Sequence, residues 1–132
     1  MDASEKLLAA ALALAICMPA AWAQPRLSAW ISGGIGLEER AAMAQGRDKF
    51  NLQLVFAHRA SGAYLAQVDV LIGDEKGAVL LRTRTEGPFL YAQISPGSYS
   101  IAATFRGKTE TRRVQVGAGR PAVIAMYWEE GE

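Results

Sequence analysis

From Asn51 to Trp128 the apolar residues recur at every second position, and clusters of Gly, Pro, Asn, Asp or Ser interrupt them roughly every ten residues. Side chains alternate across a strand, so this rhythm describes strands with one face buried and one wet. Leu52, Leu54 and Phe56 alternate with Asn51 and Gln53, and Ala60-Ser61-Gly62 follows as a turn. Tyr64 to Ile72 places Ala66, Val68, Val70 and Ile72 on one face, with Gln67 and Asp69 on the other. Gly73 to Gly77 reads as a polar hairpin loop, and Ala78 to Thr85 as the returning strand. Glu86-Gly87-Pro88 breaks the pattern before Phe89 to Ile94. Ser95-Pro96-Gly97 is a turn in which proline presets one φ and glycine frees the next. Ser98 to Phe105 puts Tyr99, Ile101, Ala103 and Phe105 in phase, and Arg106-Gly107 turns the chain into Lys108 to Val116. Pro121 to Trp128 closes the series with Ile124, Met126 and Trp128 on one face. Seven short strands so spaced predict an all-β chain, a seven-stranded antiparallel sandwich.

Two segments ahead of the strands have a different character. Leu7 to Ile16 is an unbroken apolar run, too short to span a membrane comfortably, and Pro19 and Ala21-Trp22-Ala23 follow it. An apolar core ending in A-x-A predicts a signal peptide over residues 1–23 and a periplasmic or secreted product with no stable transmembrane anchor after cleavage. The opening MDASEK departs from the usual positive start, and Ile16 is too bulky to make Cys17 a good lipidation site. Residues 24–46 read as a loop and a short helix. Leu37 to Gln45 are good helix formers with Glu38 and Glu39 in the first turn, where the helix dipole favours acids. Leu37, Ala41 and Ala44 form a narrow stripe able to dock across one open end of the sandwich, and Gly46 is placed to stop the helix. Residues 47–128 form the domain, and 129–132 an acidic tail.

Residues 83–116, TRTEGPFLYAQISPGSYSIAATFRGKTETRRVQV, resemble the second half of a carboxypeptidase regulatory-like domain in a small exported bacterial protein. Thr85, Gly87 and Phe89 match its strand-ending Thr and Gly-Pro/aromatic step. Ile94, Pro96, Gly97 and Tyr99 match its turn, and Gly107 its hairpin. Val68, Val70 and Gly77 match the first half more loosely. The resemblance implies a prealbumin-like (transthyretin-like) or Ig-like sandwich with a short N-terminal helix, and implies no activity, since the module recurs in unrelated proteins. The zinc carboxypeptidases need two metal-bound histidines, and the transthyretin-like hydroxyisourate hydrolases several histidines and a Tyr-Arg-Gly-Ser ending. This chain has one histidine and ends Tyr127-Trp128-Glu129-Glu130-Gly131-Glu132.

The same inventory restricts the chemistry. Cys17, in the leader, is the single cysteine, so a processed chain of about 109 residues has no disulfide, thiolate metal site or cysteine nucleophile. Lys and Arg total 14 against 13 Asp and Glu, and losing Lys6, Asp2 and Glu5 moves the net charge from +1 to +2. Such a balance does not suit a nucleic-acid binder working by bulk charge. His58 continues the Leu52–Phe56 face as a hydrogen-bonded strand-end residue; Ser61 nearby does not make a triad. Asp48, Asp69, Asp74, Glu75 and Glu86 read as solvated turn acids rather than a glycosidase pair or a calcium loop. No catalytic, cofactor-binding or metal-ligating residue is assigned, and no cofactor is expected.

Three features admit a binding role. Gly33, Gly34 and Gly36 before a helix invite an anion cradle, but no lysine accompanies them and Glu38 and Glu39 put negative charge in its place. These five residues are the candidate contacts for a partner, as an insertion outside the strands. The basic run Arg106, Lys108, Arg112, Arg113 and Arg120 suits an anionic surface or the protection of an edge strand. Tyr64, Phe89, Tyr91, Tyr127 and Trp128 are able to stack on sugars or to pack at the rim. The expected function is a non-enzymatic periplasmic interaction module for an envelope protein or cell-wall polymer. A cell-wall polysaccharide-binding module, marked by a flat aromatic row, is the alternative. A subunit whose partner completes a sheet would show a long uncharged edge, and an enzyme would need a pocket joining His58 to distant acids.

Overall fold

A computed structural model describes residues 26–129; the expected signal peptide with Cys17, and the end of the expected acidic tail, lie outside them. Each of the seven segments expected to hold a strand contains one, though not always with the expected bounds, and an eighth strand precedes them. In chain order the elements are β1 (Leu27–Gly33), α1 (Leu37–Gly46), a 3-10 turn (Arg47–Lys49), β2 (Leu52–His58), β3 (Asp69–Asp74) and β4 (Val79–Arg84). β5 (Phe89–Ile94), β6 (Gly97–Phe105), β7 (Lys108–Val116) and β8 (Ala122–Trp128) follow. They build two four-stranded sheets, ordered β1-β5-β2-β8 and β4-β3-β6-β7.

The expected faces meet in one core. Leu52, Leu54 and Phe56 of β2, Leu90, Ala92 and Ile94 of β5, and Met126 and Trp128 of β8 pack with Val70, Ile72, Ile101 and Ala103 of the second sheet. Each large apolar side chain so enclosed contributes about 1.5–3 kcal/mol. Phe56, Phe105 and Trp128 cluster at one end with ring centroids 6.0 and 6.2 Å apart. Trp128 Nε1 donates to Lys108 O at 2.9 Å, joining β8 to β7 where the two sheets meet.

The structure corrects several expectations. Residues 27–33, read as loop, are β1, paired antiparallel with β5 from Leu27↔Ile94 to Gly33↔Phe89. One pairing is parallel, β2 with β8, from Leu52↔Ala122 to His58↔Trp128. The strand expected over Tyr64–Ile72 is in fact a crossover followed by β3. Tyr64 bridges Ala57 of the first sheet, Leu65 N donates to Phe56 O, and Gln67 turns left-handed at φ 59° before Asp69 enters the second sheet. Finally, α1 docks through Met43, 6% exposed, while Leu37, Ala41 and Ala44 face solvent. It lies over the outer face of the first sheet rather than an open end: Gln53 Nε2, on that face, donates to Arg47 O and Phe50 O. Gly46 keeps a right-handed φ of −91°, so the helix runs on into the 3-10 turn.

Thr85 secures the crossover. It is 1% exposed; its Oγ1 accepts from Val68 N at 3.0 Å, its N donates to Val68 O, and its O accepts from Gln67 N. Thr85→Val keeps the shape and strands a buried N–H, a loss of about 1–3 kcal/mol. Denaturant titration should show a lower midpoint with an unchanged slope.

Candidate functional site

The glycine loop is closed by packing. Gly33 and Gly34 are buried between α1 and β5: a β-carbon on Gly34 would meet the Phe89 ring, and one on Gly33 would meet Glu39 Oε1. Gly87 in turn lies against the Gly33 backbone, where no side chain fits. Gly34 N donates to Glu39 Oε1 at 2.6 Å, and Arg40 Nε donates to Gly34 O at 2.9 Å. The N–H that an anion would need is therefore held by the chain's own carboxylate. Gly36, at φ 84° before α1, and Glu38 are exposed. Of the five expected contacts, Gly33, Gly34 and Glu39 are engaged within the chain, and Gly36 and Glu38 face solvent.

The aromatic residues support this helix. Tyr64, Phe89, Tyr91 and Phe50 form a chain with successive centroids 5.3, 6.1 and 6.1 Å apart. Tyr91 is buried, and burial pushes its phenol pKa up despite nearby Arg47. The exposed rings of Tyr64 and Tyr127 lie beneath guanidinium groups, Arg40 at 4.8 Å and Arg59 at 5.7 Å. Trp128 is wholly enclosed.

Asp74 is not a solvated turn acid. It is 8% exposed, and its Oδ1 accepts from Lys76 N at 2.9 Å and Ala78 N at 2.8 Å, closing the β3–β4 hairpin. Asp69 is exposed and paired to Arg84 through Nε at 2.8 Å. That hydrogen bond holds its carboxyl below the usual carboxylate range. His58 ends β2 with its ring edge-on to Phe105, centroids 6.1 Å apart. Its Nδ1, expected to be hydrogen-bonded, is buried and has no partner among the described residues. Ser61 Oγ accepts from Ala63 N within the turn. Among the described residues no group of three or more His, Cys, Asp or Glu is gathered to hold a metal.

The sheet edges divide by charge. The outer strands of the second sheet are β4, with Arg82 and Arg84, and β7, with Lys108, Glu110, Arg112 and Arg113. In register, Lys108, Glu110 and Arg112 stand opposite Phe105, Ala103 and Ile101, on the face turned toward the other sheet. Inward-pointing charge on an edge strand discourages pairing with another chain. The outer strands of the first sheet, LSAWISG in β1 and AVIAMYW in β8, carry no charge. β8 lies beside β7 and is tied to it by Trp128. Among the described residues β1 has no such neighbour on its outer side, and Trp30 and Ile31 at its middle are 39% and 38% exposed. This edge escaped the sequence analysis because Trp30 and Ile31 are adjacent and mask the alternation.

Two measurements check this geometry. Gly34→Ala forces a methyl group against Phe89 at φ 103°, and calorimetry should show a loss of about 1–3 kcal/mol. The depressed Asp69 carboxyl adds stability at neutral pH that disappears as pH falls through its lowered titration range. In Arg84→Gln, NMR titration should find Asp69 protonating at a higher pH, near an ordinary aspartate. No protein-family model, curated protein or solved structure matches this chain.

Proposed function

We propose that the chain is a non-enzymatic interaction module, exported to the periplasm by the leader at residues 1–23, that takes a strand from an envelope protein along β1. On this reading the β-rich domain is a prealbumin-like sandwich of the carboxypeptidase regulatory-like kind. Support for that assignment comes from the Thr85–Gly87–Phe89 step, which packs against the crossover and the Gly33–Gly34 loop. The Pro96-Gly97-x-Tyr99 turn supports it too, since the Tyr99 hydroxyl donates to Ser95 O.

The observation that carries the interaction reading is the uncharged, exposed edge of β1. An edge strand presents unpaired backbone N–H and C=O groups, and an added strand satisfies them while side-chain contacts select the partner. The register irregularity between Leu27 and Ala29 confines distortion to the start of β1, so Ala29 to Gly33 stay regular. Trp30 and Ile31 supply apolar contacts on opposite faces of the added strand. Gly36 and Glu38, exposed just beyond the end of β1, extend the contact surface.

The test is a pull-down from an envelope extract of the source organism with the full chain, alongside Ile31→Lys and Val79→Lys. Both substitutions are at exposed positions and should alter stability by no more than about 0.5 kcal/mol. A stoichiometric protein partner retained by the parent and by Val79→Lys, and lost by Ile31→Lys, is the expected result. A partner indifferent to Ile31→Lys, or retention on peptidoglycan or polysaccharide alone, would contradict it.

A further inference from the structure

Three departures from ordinary local chemistry converge on one cavity of about 530 Å³ between the end of β2, the crossover and the β6–β7 hairpin. Gln67 and Arg106 are the two non-glycine residues with left-handed φ among the described residues, at 59° and 51°, and both line it. The third is His58, whose buried Nδ1 has no hydrogen-bond partner among the described residues and which lines the same cavity. Strained backbone and unsatisfied polar groups are unfavourable in a structural role, and they concentrate where a site needs particular side chains.

Arg106 is the most informative of the three. Phe105 pairs with Lys108, so Arg106 and Gly107 form a two-residue turn with φ of 51° and 81°. Both values are positive, the pattern of a turn whose first position favours Asn, Asp or Gly. Arginine there places its guanidinium 5.2 Å from the Phe105 ring centroid, and no carboxylate pairs with it among the described residues. Beside it in the cavity wall, Arg84 is fixed by Asp69 through two hydrogen bonds of 2.8 and 3.2 Å. These three charged groups leave a single positive charge in surplus. Buried Leu65 and Phe105 add apolar wall.

We infer that this cavity binds a small monocarboxylate with an apolar body, its carboxylate on Arg106 and its body against Phe105 and Leu65. A guanidinium fork matches a carboxylate in two hydrogen bonds, and stacking on a ring presets its orientation. Asp69 sets the charge class, because its own carboxylate opposes a second negative charge. The imidazole of His58 forms part of the same wall, so its ring signals report an occupant of the cavity. The site lies apart from β1 and does not depend on a protein partner there.

The test uses benzoate as probe on the isotopically labelled full chain, with methyl benzoate and inorganic phosphate in parallel. Benzoate should give saturable NMR shifts at the Gln67, Arg106 and Gly107 amides and the His58 ring. Methyl benzoate, lacking the charge, should bind about tenfold more weakly, the worth of one charge-assisted contact. The decisive variant is Arg106→Asn, because asparagine is favoured at a left-handed first turn position. It should melt at a higher temperature than the parent and bind benzoate about tenfold more weakly. The assignment is overturned by absence of saturable shifts, by equal binding of methyl benzoate, by tighter binding of phosphate, or by unchanged benzoate affinity in Arg106→Asn. A lower melting temperature in that variant would equally overturn it, since arginine would then belong to the turn itself.

Discussion

The chain changes sheets between Tyr64 and Asp69, and the three hydrogen bonds that Thr85 makes to Gln67 and Val68 hold that change in place. Had the alternation through Ala66, Val68, Val70 and Ile72 simply continued as one strand, β3 would extend the sheet that holds β2, and no second layer would form there. The left-handed backbone at Gln67 breaks the strand, and Thr85 supplies buried partners that replace the interrupted ladder. Val68 enters the core at 0% exposure immediately after the break. Because Thr85 directly follows the end of β4 at Arg84, the same residue sets where the chain returns toward β5 and the first sheet.

A second steric constraint acts on the other side of the first sheet. Backbone at Gly33, Gly34 and Gly87 packs where a β-carbon would collide with Glu39, Phe89 or the Gly33 backbone. That close approach lets a helix with little apolar surface stay seated through Met43, while Gln53 holds the turn that follows it. Glycines before a helix suggest mobility or an anion site when read in isolation. Here they are where two segments come closest.

Most strands were legible because burial on one face leaves a period-two signature, and β5 and β7 appear with the bounds read from the sequence. Features that depend on distant partners were not. β1 is a strand only because β5, some sixty residues away, offers it a ladder. Asp74 looks like any loop acid until its two backbone donors fold back on it. The helix stripe failed for a related reason: Leu37, Ala41 and Ala44 are apolar in the correct period, but contact is decided by where Gly33 and Gly34 let the helix approach. Of the candidate contacts, Gly36 and Glu38 are solvent-facing, and the edge beside them was hidden by a sequence with no clean alternation.

The parallel pairing of β2 with β8 governs the order in which this domain can assemble. It joins Leu52 to Ala122 and His58 to Trp128, so a central strand of the first sheet lacks one neighbour until the final strand is available. Phe56 and Phe105 likewise wait for Trp128 to complete their end of the core. Closing so long a loop is entropically unfavourable, and contacts this distant in sequence slow folding. The domain is thus built to complete late, staying open along β2 while the chain is still emerging and closing once its last strand has arrived.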